Sequence, residues 1–477
     1  MSTAFNPRAS DSSDPAGSAS RLAPGEAEHK ANPEERKGQL SRHVNVLLAV
    51  LLIAAASEFI LRGPVRFLAQ APDWNDFVLL YIPARAWLQG ANLYSPEVYT
   101  HIYTQMFAKP WSAAALRSHP AYPLNTFVLI SPLAPFPWPI AQKAELALVL
   151  VLIGAMIFAI SRLANLEGKA ACLFGAAVLG LAPIHTGVAT GNISITAAAL
   201  ACIAVWAVDA RKDVFAGVLL AIVISLKPQI GILFLAYYLV RRKWLTFSLA
   251  VVGTGLIFLV GAVRMYALGL SWVTDFVHNA HVWVRSNPTD DFASAGPMRY
   301  TLIDLQVPFY DLLGSKTAAV VLALAAAVTL GLIWLILFLR ARAPDDLLNL
   351  SILATLSLLP VYHRFYDASL LVLPIAWTLR ANAPAYSRLR KACWLLLSLF
   401  LIPGSSILER MVSDGHVALR VLSSWWWRHV LMPHEAWALL LIVIALLAAM
   451  SIRPGTAAEH RPDASPTTKV VPVAKIG

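Results

Sequence analysis

The chain has 477 residues, of which 58% are hydrophobic and only 14% are charged. An ordinary soluble domain is nearer half apolar and a quarter charged, so this chain has too few polar groups to cover its own surface, and lipid must be part of its solvent. The formal net charge of +11 would suit nucleic acid. The basic residues, however, sit mainly in short loops between apolar runs, and there is no basic, aromatic-interleaved soluble domain, so no nucleic-acid partner is expected.

Residues 1–43 are polar and rich in Ser, Ala, Pro and charge, and are expected to form a disordered cytoplasmic tail. Ala54, Ala55 and Ala56 imitate a signal-peptidase site, but the polar stretch before them is too long for a signal peptide. The first apolar run is therefore read as an anchor that stays. Hydropathy then predicts an all-α polytopic membrane domain over residues 44–453, with about twelve spans. They lie near 44–62, 140–161, 170–184, 192–209, 213–226, 229–240, 244–263, 317–340, 345–361, 366–380, 391–408 and 434–451. Residues 454–477 read as a second loose cytoplasmic tail. Cys172, Cys202 and Cys393 each fall inside an apolar segment without metal-ligand spacing, which points to packing.

Counting alternately from an inner N-terminus puts Arg162 and Lys169, Arg211 and Lys212, Arg241 to Lys243, Arg340 and Arg342, and Arg380 to Lys391 in the inner loops. Each of those loops is basic, as the positive-inside rule requires. The stretch Leu124–Pro139 cannot be a further span: Pro132, Pro135, Pro137 and Pro139 break it, and counting it would invert every later loop. It reads as a segment dipping into the outer interface, tolerable where protein covers its irregular backbone. A large outer loop over residues 63–139, carrying juxtamembrane helices, and a second over 264–316 result. The chain is thus expected in the plasma (inner) membrane, with both termini cytoplasmic and its working face outside.

Five polar groups fall on that outer face. Asp73, Asn75 and Asp76 precede an apparent helix that stops at Gly90. An acid there serves either as a general base or as a helix cap, and the residues leave both open. His119 and Tyr122 enter the proline-broken segment, where His119 contacts a phosphate or sugar, or only water. Gly191-Asn192 opens a span, a position that Asn often occupies as a cap. Lys227-Pro228-Gln229 separates two short apolar runs, which places a lysine near membrane depth with an anionic partner expected, unless it snorkels. Tyr362, His363, Arg364, Tyr366 and Asp367 pack a cation, an anion, an imidazole and two phenols between two spans. The bland reading is a hairpin in which Arg364 pairs with Asp367. Glu58 and Glu145 are weaker candidates.

This order of motifs resembles glycosyltransferase family 87, membrane enzymes of the GT-C fold. The likeness rests on Asp76-Phe77 followed by Tyr81, Ala84, Ala86, Leu88, Gly90 and Tyr94, on Tyr122-Pro123-Leu124 with Pro132-Leu133, and on Gly191-Asn192, Lys227-Pro228-Gln229 and Tyr366-Asp367. The chain departs from the family's pattern in having Ala121-Tyr122-Pro123 where adjacent prolines are common, and Asn192 where Gln is common. The resemblance implies a hexosyl transfer, commonly mannosyl, from a polyprenyl-phosphate sugar to a lipid or glycan acceptor, with inversion. It implies a base on the first outer loop, here Asp76 with Asp73 in reserve. Lys227, His363, Arg364 and Asn192 would then contact donor phosphate or sugar, with His119, Tyr122, Tyr366 and Asp367 in support. No cofactor beyond the lipid-linked donor, and no metal site, is expected. The rival class is a transporter or lipid flippase, which usually needs polar residues at mid-membrane; here the polar candidates gather on one side.

Overall fold

The computed structural model describes residues 33–108, 119–286, 291–293, 296, 298–341, 344–381 and 384–452. The chain divides into two units, 1–47 and 48–477. The described part of the first is the opening of helix α1 (Pro33–Arg62), which therefore starts well before residue 44; everything below concerns the second. Residues 1–32 and 453–477, where the loose tails were expected, lie outside the described residues.

Among the described residues every regular element is helical, and the single β-bridge joins Leu302 to Arg364. The first loop carries α2 (Pro64–Ala69), α3 (Val78–Leu88), α4 (Pro96–Phe107) and α5 (Leu124–Ile130). After it come α6 (Trp138–Leu163), α7 (Gly168–Leu179), α8 (Ala182–Thr190), α9 (Ser194–Asp209), α10 (Asp213–Leu226), α11 (Pro228–Val240) and α12 (Trp244–Ala267). The segment after α12 holds α13 (Trp272–Ser286) and α14 (Gln306–Leu313), followed by α15 (Lys316–Arg340), α16 (Asp346–Ser357), α17 (Val372–Arg380), α18 (Ser387–Ser398), α19 (Gly404–Ser413), α20 (Leu419–Leu422) and α21 (His434–Ser451).

Each apolar run read from hydropathy is therefore helical, but the runs differ in kind. Among the described residues five helices are long and apolar enough to cross a bilayer, or up to seven if two bent pairs each count as one span. The pairs bend by 46° between α7 and α8 and by 45° before α19. Pro183 and Pro403 stand at those breaks, and a proline cannot continue the backbone ladder. Helices α9, α10, α11 and α16 are shorter, at 16, 14, 13 and 12 residues. At 1.5 Å per residue they reach about 18–24 Å, against roughly 30 Å of hydrocarbon. Of these, α9 and α16 are wrapped by the others and nearly all buried, whereas α10 and α11 keep an exposed face.

The two ends of these short helices differ in chemistry. At one end, the Lys243 ammonium lies 3.4 Å from Asp213, Arg241 lies 3.3 Å from Asp346, and Arg380 pairs with Asp345. The basic loops thus meet at one end of the bundle, as a common side requires. At the other end lie Ser194, Lys227 and the turn before α17. Small residues allow tight packing between them: a Cβ on Gly217 of α10 would stand 2.7 Å from Leu249 of α12.

The segment after Tyr122 is covered by protein. From α5, Asn125 donates to the Thr254 carbonyl at 3.0 Å, and Thr126 donates to the Ser225 carbonyl at 2.9 Å. Carbonyls left over by the prolines find donors on α3, where Arg85 reaches Ala134 at 3.1 Å and Tyr81 reaches Phe136. Arg264 of α12 in turn donates to the terminal carbonyls of Trp87 and Leu88 at 3.0 and 2.7 Å, closing α3 with a cation where the helix dipole favours one. Cys202 and Cys393 are buried as expected, whereas Cys172 is exposed on α7.

A cysteine replacing Leu419, which is 84% exposed, in a chain otherwise free of cysteine should react with a membrane-impermeant thiol reagent in intact cells. One replacing Arg242 should react only after permeabilisation. The opposite pattern would reverse the expected orientation.

Candidate active site

The loop before α3 separates two roles that the sequence leaves merged. Asn75 takes the local turn, its side-chain oxygen accepting the Phe77 N–H at 2.9 Å. The Asp76 N–H donates to the Thr190 carbonyl at 2.7 Å, tying the loop to the end of α8. Asp76 itself is half-buried, and its Oδ2 accepts from Asn192 Nδ2 at 2.8 Å.

Asn192 owes its place to Gly191, which ends α8 at φ +66°, a left-handed conformation that suits glycine. A Cβ at that position would stand 2.6 Å from both Asn75 Oδ1 and Phe67. The Asn192 side chain does two things. Its oxygen accepts from the Ser194 N–H at 3.0 Å and the Ser194 hydroxyl at 2.6 Å, capping the start of α9, while its nitrogen holds Asp76.

Lys227 continues the chain of contacts. Pro228 disfavours helical backbone at the preceding residue, so Lys227 takes φ −150°, ψ 86° between α10 and α11. Its ammonium, 6% exposed, donates to the Ser194 hydroxyl and to Asp367 Oδ1. Asp367, fully buried, also accepts on Oδ2 from the Arg364 N–H and from His363 Nδ1, both at 3.0 Å. Lys227 therefore pairs with Asp367, and the Arg364 backbone N–H donates to it as well. The Arg364 side chain, half-buried, bonds the Tyr362 hydroxyl at 2.6 Å. The Tyr366 ring centre lies 5.2 Å from the Lys227 ammonium, and its phenol is within electrostatic reach of Tyr362, Arg364, Asp76 and Asp367.

Two participants carry little sequence signal. Ser194 reads as an ordinary helix-start residue. Asp304, an acid between α13 and α14, is 1% exposed and accepts the Gln306 N–H at 2.9 Å and the His363 N–H at 3.4 Å. Burial pushes its carboxyl up to about 6. Together with the Ile303 N–H donated to the His363 carbonyl at 2.9 Å, it fixes the Tyr362–Asp367 turn. The Nε2 of His363 is buried without a hydrogen-bond partner among the described residues.

The remaining candidates belong to other groups. Asp73 accepts from Tyr103 of α4. The His119 carbonyl accepts from Trp283 of α13, and the Tyr122 carbonyl accepts from Tyr94 at 3.0 Å. Glu58 pairs with Arg62 on α1 at 3.3 Å. A cavity of about 400 Å³ is apolar and lies elsewhere, against Leu312, Trp425, His429 and Trp437. It holds no carboxylate, so chemistry rather than volume marks the site at Asp76.

Comparison with family models decides the class, because the model of glycosyltransferase family 87 matches residues 121–374. The chain belongs to that family. It is a membrane glycosyltransferase, and the transporter reading falls away. Comparison with curated proteins and with solved structures finds no match. The matched segment of this glycosyltransferase contains Asn192, Lys227, His363, Arg364, Tyr366 and Asp367, and the fold brings Asp76 to them from outside it.

Replacing Lys227 by Met should destabilise the protein by about 3–5 kcal/mol, since it leaves Asp367 buried and unpaired, and adding Asp367→Leu should recover most of that loss. Unfolding in detergent checks both. For Asp304, a folded pKa above the ordinary carboxylate range means that its stabilising effect is complete below pH 4 and is lost as pH rises towards 6. Relative to Asp304→Asn, the wild type should lose on the order of 3 kcal/mol across that window.

Proposed function

We propose that this glycosyltransferase moves a hexosyl residue, a mannosyl one in the first instance, from a polyprenyl-phosphate sugar to the hydroxyl of a lipid or glycan acceptor on the periplasmic face. The observation that carries the reading is the continuous hydrogen-bonded path from Asp76 through Asn192, Ser194 and Lys227 to Asp367 and His363. It lies at the end of the short helices opposite the basic loops.

In this reading Asp76 is the base. It is the one acid of the path with a half-buried carboxylate, and Asn192 holds one of its oxygens so that the carboxylate is oriented. As the acceptor oxygen bonds to the anomeric carbon from one side, its proton passes to Asp76. The bond from that carbon to the phosphate oxygen breaks on the other side, with inversion, and the electron pair leaves on the phosphate. That departure calls for nearby positive charge rather than an acid. Arg364 supplies it, with Tyr362 steadying the guanidinium. Lys227 is committed to Asp367, so its role is to hold Ser194 and Asn192 in place, and His363 offers its second ring nitrogen towards donor sugar or phosphate.

Depth supports a lipid-linked donor. With the basic loops at the inner surface, helices reaching about 18–24 Å leave the site below the outer surface of a core roughly 30 Å thick. A phosphate on a lipid tail arrives at that depth from the side.

Membranes assayed with a panel of radiolabelled polyprenyl-phosphate sugars should show transfer from one of them. Asp76→Asn should lower the rate at least 10²-fold, within the usual range for losing a general base, while leaving donor binding near wild type. Wild-type-like transfer by that variant rejects the base. Transfer from a soluble nucleotide sugar instead rejects the donor class.

A further inference from the structure

Two hydrogen-bonding groups, one on Asn192 and one on Glu145, remain open among the described residues. Asn192 has two amide hydrogens and an oxygen; the oxygen is filled by Ser194 and one hydrogen by Asp76. The other hydrogen has no partner among the described residues. Glu145, on the first turns of α6, is 3% exposed and makes no hydrogen bond or ion pair among the described residues. A carboxyl in that state inside a membrane helix is costly and calls for an explanation.

One small cavity is shared by both. It is walled by Phe67, Val149, Val188 and Gly191, with Glu145 and Asn192 as its polar side chains, and measures about 10 Å³. That is at the margin of what a single water needs, roughly 10–15 Å³ for its centre together with two to four polar contacts. The charged groups on the elements around α6 are Arg66 of α2, Lys169 of α7, His185 of α8, Asp209 of α9 and Arg380 of α17, besides Lys143 and Arg162 on α6 itself, and none is bonded to Glu145.

We propose that one water in this cavity joins the Glu145 carboxyl to the open amide hydrogen of Asn192, which makes Glu145 a positioning residue for the base. This rests on the reading of Asp76 as that base. The water completes the Asn192 side chain, so that all its hydrogen-bonding positions are used and the amide nitrogen is kept facing Asp76. Without it the amide is held on one side only, and its bond to the Asp76 carboxylate loosens. A carboxylate that loses a donor is protonated more readily. The signature is therefore a displaced pH profile, not merely a slower enzyme.

The experiment measures kcat, donor KM and the pH profile of transfer in membranes for Glu145→Leu, Glu145→Gln, Val149→Ile and Asp76→Asn. Glu145→Leu should lower kcat about tenfold, a common size for losing an outer-layer partner. It should also move the acid limb of the profile up by about half a pH unit, with donor KM unchanged. Glu145→Gln, which keeps the hydrogen-bonding groups, should restore most of the rate. Val149→Ile, which pushes a methyl group into the water's place and leaves Glu145 intact, should move the limb in the same direction. An acid limb at the wild-type position in both Glu145→Leu and Val149→Ile overturns the proposal. If Glu145→Leu does not accumulate, Val149→Ile decides alone. Activity in Asp76→Asn would instead remove the base assignment itself, whatever the other variants do.

Discussion

The arrangement depends on one buried ion pair, Lys227 with Asp367. An ammonium and a carboxylate this far from water are tolerable only together and only with their other bonding positions filled. Both conditions are met: Ser194 takes a second hydrogen of Lys227, and His363 and Arg364 fill the remaining oxygen of Asp367. The pair ties the α10–α11 break to the turn before α17. Through Ser194 and Asn192 it also governs where the loop before α3 docks. If the pair goes, the path to Asp76 loses its anchor.

That dependence explains why side chains with phosphate-binding character divide into two sets. Lys227 is charge-balanced and inward, so it acts on geometry. Arg364 is half-buried, with its guanidinium on a tyrosine hydroxyl, so it stands apart from the Lys227 ammonium. Asp304 belongs with the first set, since it holds the backbone of the Tyr362–Asp367 turn from a different segment of the chain.

Much of this is legible in the sequence, for particular reasons. Apolar runs are read correctly as helices because hydropathy senses side-chain character. It does not sense whether a helix reaches across the bilayer or is wrapped by its neighbours, so α9, α10, α11 and α16 look like α15 and differ only in length. Asp76, Asn192, Lys227 and Asp367 stand out because each sits at a break between apolar runs, where a polar residue is conspicuous. Which acid caps and which faces Asn192 cannot be read from Asp73, Asn75 and Asp76 alone, because capping depends on backbone angles. Ser194 and Asp304 escape notice for the opposite reason: a serine at a helix start and a single acid in a long loop are ordinary until a partner some thirty or sixty positions away arrives. His119 and Tyr122 have the right chemistry for the site, but their backbone carbonyls are engaged in a different group, by Trp283 of α13 and by Tyr94.

The short central helices have a consequence for how the protein sits in lipid. Long helices answer to membrane thickness and can tilt when it changes. Helices α9 and α16 are sheathed by protein along most of their length, so their reach is an internal distance, indifferent to the lipid around them. The floor on which Asp76 and Lys227 rest is therefore a fixed step inside the protein, much as a recessed shelf keeps its height when the wall around it leans.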